Sequence, residues 1–75
     1  MAKISLIGQI SEIDREIAMR EQVYPRQIDA GKMKKAEAEM LMDRIHAVRA
    51  TLIFLKEHET AFREYYATKH GKEPQ

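Results

Sequence analysis

The stretch "EQVYPRQIDAGKMKKAEAEM", residues 21–40, decides the fold. It sets Pro25 and Gly31 inside sequence that is otherwise helical. A proline within a helix removes one backbone hydrogen bond, and its ring presses on the carbonyl four residues back. It also biases the preceding residue, here Tyr24, away from helical geometry. Yet Tyr24 and Ile28 keep the phase of Ile13 and Ile17 upstream. The spacing therefore predicts a helix that is kinked near Pro25, or briefly broken there, and runs on to about Ala30. Gly31 suits the left-handed position that ends a helix. "KMKK" then carries the chain around, and "AEAEM" opens a second helix with Glu37 and Glu39 near its positive end. The stretch reads as the bend of a helical hairpin.

Upstream, at 100° per residue, Leu6, Ile10, Ile13, Ile17, Tyr24 and Ile28 share one narrow arc. Charged residues fill most of the remainder, and Glu16 and Arg20 form an i,i+4 pair. This predicts a first helix over about residues 4–30, with Ser5 as N-cap. A competing reading makes Lys3 to Gln9 a short strand, with Ser11 capping the helix and Asp14 completing a box-like pattern. Downstream, a long second helix is predicted over about residues 34–69. It carries two apolar stripes. Leu41, Ile45, Val48, Leu52, Leu55, Phe62 and Tyr66 form one, interrupted by Glu59. Ala36, Met40, Ala47, Ala50, Phe54, Ala61 and Tyr65 form the other, flanked by Ile53. Antiparallel pairing through Ala30 and Ala36 places Ile17 near Arg49, Ile10 near Lys56 and Ile4 near Phe62. The end "REYYATKHG" then projects beyond the first helix. One partner helix covers only one stripe, so the second stripe needs another chain.

The totals narrow the class. A chain of 75 residues is one domain, here a hairpin over about residues 1–70 with a flexible tail at 71–75. A domain of this size buries only about 60% of its unfolded surface. Without cysteine, disulfides, thiolate metal sites and cysteine nucleophiles are excluded. Tight helix packing and oligomerisation remain as sources of stability. The longest apolar run, Leu52 to Leu55, is far below the roughly 20 residues that span a bilayer. "MAKISLIGQISE" makes a poor signal peptide, so a cytoplasmic location without membrane attachment is expected. A net charge of +1 gives no global field toward nucleic acid.

Chemistry-bearing patterns are sparse. His46, His58 and His70 lie 12 residues apart, which is not a helical ligand spacing. Asp43 and His46 are i,i+3, and the plain reading is a pair of solvated helix residues. The glutamates sit beside Lys or Arg as solubilising charge, and no phosphate loop or nucleophile elbow occurs. No enzyme, metal or cofactor is expected. Arg26, Lys32, Lys34 and Lys35 gather at the bend and could touch phosphates, without the aromatic interleaving of a single-strand platform. Met33 and Met40 read as gap-filling core residues.

The residues "REIAMREQVYPRQIDAGKMKKAEAE" and "RIHAVRATLIFL" resemble a group of short helical-hairpin proteins of bacteriophages and prophages. The shared features are the V-Y-P-R segment (Val23, Tyr24, Pro25, Arg26), Gly31 before the second helix, and an A-V-x-x-T-L pattern at Ala47, Val48, Thr51 and Leu52. The resemblance covers about residues 9–56 and departs at Lys34, where a capping Ser or Thr is expected. It implies a phage or prophage setting and carries over no activity.

Together these features predict an all-α antiparallel helical hairpin with a long second helix. It is expected to dimerise into a four-helix bundle or coiled-coil assembly. Ala47, Ala50, Phe54, Ala61 and Tyr65 are the expected oligomer interface. The expected function is a non-enzymatic protein-interaction or structural role, with another protein as a further partner. The alternative is a small nucleic-acid-associated or regulatory protein using the basic bend.

Overall fold

The computed structural model describes residues 3–66 of the chain. Three helices and no strand occur among them: α1 (Leu6–Asp29), α2 (Lys35–Glu57) and α3 (Glu59–Tyr66). α1 and α2 pack against each other as a hairpin, and α3 contacts only α2. The radius of gyration is 18.3 Å, against about 11 Å for a compact domain of this length.

α1 starts where a side chain can take over an orphan backbone donor. Ser5 is extended, and its hydroxyl accepts from the Gly8 N–H at 3.0 Å. The strand reading of Lys3 to Gln9 therefore fails, because one cap hydrogen bond fixes the helix phase from Leu6 onward. The helix runs through Pro25 to Asp29. Pro25 is exposed, as is Glu21, whose carbonyl loses its helical partner. Water can solvate that carbonyl.

The bend closes α1 as a Schellman motif. Gly31 adopts φ 75°. Its N–H donates to the Ile28 carbonyl at 3.0 Å, and the Lys32 N–H reaches back to Gln27 at 2.9 Å. Two otherwise orphaned carbonyls are satisfied within two residues. α2 starts at an extended Lys34 that makes no side-chain cap.

The second helix is not one rod from 34 to 69. α2 ends at Glu57, and His58 (φ −107°, ψ 14°) separates it from α3. The Phe54 carbonyl is shared at the break. It accepts from the His58 N–H at 3.1 Å and lies 2.9 Å from His58 Nδ1. In the tautomer carrying Nδ1–H the ring donates there, so one side chain competes for the helix's own acceptor. Residues 67–69, His70 and the expected tail at 71–75 lie outside the described residues.

The hairpin seam is thin. Among the described residues only Ile17, Ala38 and Ile45 are buried, each 6–8% exposed. Around them Leu6, Ile10, Ile13, Tyr24 and Ile28 of α1 are half-buried. So are Leu41, Met42, Leu52 and Ile53 of α2. Full burial of an isoleucine is worth roughly 1.5–3 kcal/mol, so Ile17 and Ile45 are the main anchors. Ala38 contributes closeness rather than area.

Two polar links set the register. Arg20 donates to the Leu41 carbonyl at 3.0 Å, and Arg49 pairs with Asp14 at 2.6 Å. Ile17 therefore lies level with Ile45, not with Arg49. The pairing is about one turn from the expected one, and the return path is shorter: 28 residues rather than 32 separate Ile17 from the residue level with it. The seam keeps most of the expected stripe, with Ile45 buried and Leu41, Leu52 and Leu55 half-buried, and departs from it at Val48. It runs through Ala38, Ile45, Leu52 and the half-buried stems of Arg49 and Lys56, while Val48 is 45% exposed.

Candidate interaction surface

The side of α2 turned away from α1 is apolar over most of its length. Ala36, Met40, Asp43, Ala47, Ala50 and Phe54 follow one another at spacings of 4, 3, 4, 3 and 4. That alternation matches the spacing of heptad seam positions. All six are exposed, Met40 at 42% and Phe54 at 52%. Met40 thus lies outside the core, whereas Met33 is half-buried at the bend.

The structure brings the expected interface residues only partly together. Ala47, Ala50 and Phe54 share the outer face of α2. Ala61 and Tyr65 belong to α3, beyond the break at His58, so they do not continue the same helical stripe. Both are exposed. Asp43 is a member of the outer face that a search for apolar residues passes over. Its spacing, midway between Met40 and Ala47, is the signal that finds it.

At the far end of that face sits an aromatic cluster. The Phe54 and His58 ring centroids are 4.2 Å apart. Phe62 lies 6.4 Å from Phe54 and 6.3 Å from His58. The cluster holds α3 against the end of α2, with ion pairs from Glu59 to Lys56 and Arg63 beside it.

On the flank between the helices an open groove of about 510 Å³ runs past Tyr24, Pro25 and Ile28 of α1 and Ala38, Met42 and His46 of α2. Arg20 borders it, pairing with Glu16 at 2.9 Å and lying 5.9 Å over the Tyr24 ring. Acids and bases both rim this groove, and no nucleophile–base pair lines it.

The basic cluster is where the sequence places it. Arg26 is in the last turn of α1, Lys32 and Lys34 are in the bend, and Lys35 opens α2. All four are exposed, and none makes an ion pair among the described residues. The Arg49 guanidinium has its pKa raised by the hydrogen bond it donates to Asp14 and then by the Asp14 charge. Among the described residues no group of three or more acidic or histidine side chains could hold a metal. No helix among them is long and apolar enough to cross a membrane.

Compared with known proteins, the chain finds no significant match to a family model, a curated protein or a solved structure.

Proposed function

We propose that the chain is a non-enzymatic protein-interaction or structural module that works as a homodimer, with the outer face of α2 as its interface. The observation that carries this reading is the pairing of a thin core with an exposed heptad face. Three buried side chains anchor the hairpin, while Met40 and Phe54 stand about half exposed on the opposite side. A small domain needs 5–15 kcal/mol of net stability, and covering the outer face adds to what the hairpin seam supplies. The resemblance to phage and prophage hairpins and the cysteine-free sequence support a cytoplasmic, phage-related setting.

The test is light scattering coupled to size exclusion on the full chain. At 52% exposure, Phe54 has about half its transfer free energy still to gain, roughly 0.8–1.5 kcal/mol per copy. Two copies supply roughly 1.5–3 kcal/mol, which is about a tenfold to 150-fold change in dimer dissociation constant. Phe54→Glu removes that gain and adds a desolvated charge. The expected results are a mass of two chains for the wild type and of one chain for Phe54→Glu, with Gln22→Ala as an unchanged control. A wild-type mass of one chain at micromolar concentration refutes the dimer.

A second reading rests on the four exposed cations around the bend. In it, Arg26, Lys32, Lys34 and Lys35 contact nucleic-acid phosphates. Retardation of DNA or RNA in a gel at nanomolar protein and physiological salt supports it. The binding must weaken when Lys32, Lys34 and Lys35 become Gln, with a salt slope reduced by roughly one unit per lysine.

A further inference from the structure

The outer face of α2 also contains the information for how two copies would align. We propose that α2 pairs with the α2 of a second copy in antiparallel sense, with the two-fold axis level with Ile45. The inference rests on the homodimer reading above and adds its direction and register.

The argument starts from Asp43. It sits on the outer face in line with Met40 and Ala47. A parallel, in-register pair would stack Asp43 on the partner's Asp43, two like charges drawn out of water. It would also set Phe54 against Phe54 and each alanine against its own copy. An antiparallel pair avoids both. Its layers alternate the two kinds of seam position, so the register can change only in steps of a heptad.

One step to either side of Ile45 puts Phe54, or Met40, against the partner's Asp43. The register centred on Ile45 instead sets Phe54 over the partner's Ala36, Met40 over the partner's Ala50 and Asp43 over the partner's Ala47. Each large apolar side chain then meets a small one, as packing of interdigitated layers requires. Because the axis is two-fold, every such contact occurs twice.

The flanking charges agree with this register. At 1.5 Å per residue, Asp43 lies about 1.5 Å in height from the partner's His46, on the same flank. Glu57 lies about 3 Å in height from the partner's Lys35, again on the same flank. Glu57 and Lys35 are exposed, and neither has an ion-pair partner within the described chain. The second copy supplies each with one.

Cysteine cross-linking of the full chain reads the geometry directly, since the natural sequence has no cysteine. The two Ala50 positions lie about 15 Å apart along the helices in the proposed dimer, beyond the ~7 Å reach of a disulfide. Under mild oxidation Ala50→Cys alone should stay uncross-linked, as should Met40→Cys alone. An equimolar mixture of the two should give a covalent dimer, and so should the double variant. Rapid cross-linking of Ala50→Cys alone would overturn the antiparallel register.

A charge exchange provides a readout that does not depend on thiol geometry. Lys35→Glu and Glu57→Lys should each weaken dimerisation by about twofold to fivefold, and both changes in one chain should restore it. Failure of the combined variant to recover overturns the register while leaving the dimer intact. A wild-type mass of one chain refutes the homodimer itself.

Discussion

Replacing Gly31 by alanine isolates the conformational cost of the bend. Gly31 sits at φ 75°, and a Cβ built there meets nothing within 4 Å. No clash contributes, so the cost in the folded state is backbone strain alone. The left-handed region costs an L-residue roughly 1–2 kcal/mol. Alanine also restricts the unfolded chain, which returns about 0.4–1 kcal/mol. The net destabilisation is therefore about 0.5–1.5 kcal/mol. For a domain of this size each kcal/mol lowers Tm by about 4–8 °C. Thermal unfolding followed by circular dichroism, at one fixed protein concentration, should show a fall of a few degrees to about 12 °C. Gly31→Asn should lose less, because asparagine visits this region more readily. A Gly31→Val variant should lose more. If alanine leaves Tm unchanged, or if asparagine is as damaging as valine, the left-handed Schellman bend is not what terminates α1.

Pro25→Ala should raise stability by up to about 3 kcal/mol in chemical denaturation, because the helix already runs through this exposed position and alanine restores the missing donor. Unfolding of the variant would show that the proline ring holds a specific turn. Lys34→Ser should add the absent side-chain cap of α2 and raise stability by about 1 kcal/mol; an unchanged denaturation midpoint would show that Lys34 is not the N-cap. Ile45→Ala should lower stability by about 2–4 kcal/mol, whereas Val48→Ala, on a half-exposed position, should lose less than about 1 kcal/mol. The reverse order would restore the seam through Val48.

The bend was legible because its residues are chemically specific. Gly31 has one strong reason to follow a helix, and Ser5 one strong reason to precede one. The arc from Leu6 to Ile28 was legible because α1 has a single apolar side. α2 was harder, since both of its sides carry apolar residues and periodicity alone does not say which one meets α1. Hydrophobicity alone favours Val48, which is 45% exposed. The folded seam shifts toward Arg49 and Lys56, whose long stems pack while their charged ends reach solvent. Ala38 escaped notice because its importance lies in what its small size allows. The break at His58 coincides with a ring turned back to the Phe54 carbonyl, which residue spacing does not encode. Residue type alone reads Asp43 as a solvated acid, and only its spacing sets it in line with Met40 and Ala47.

The two cross-helix links have one further consequence. Arg20 meets the Leu41 carbonyl across 21 residues of chain, and Arg49 meets Asp14 across 35. Sequence separation grows steadily with distance from Gly31, as in a zip fastener closed at one end. Loop-closure entropy rises with the logarithm of that separation, so the farther link costs about 0.5 kcal/mol more to close than the nearer one. The hairpin therefore closes most readily from the bend outward and opens most readily at the end that holds Leu6 and the start of α3. Backbone amides near Arg20 and Leu41 should exchange their hydrogens more slowly than those near Ile10 and Leu52. The aromatic cluster of Phe54, His58 and Phe62 stands at this looser end, already about half exposed on a side of α2 that α1 does not cover.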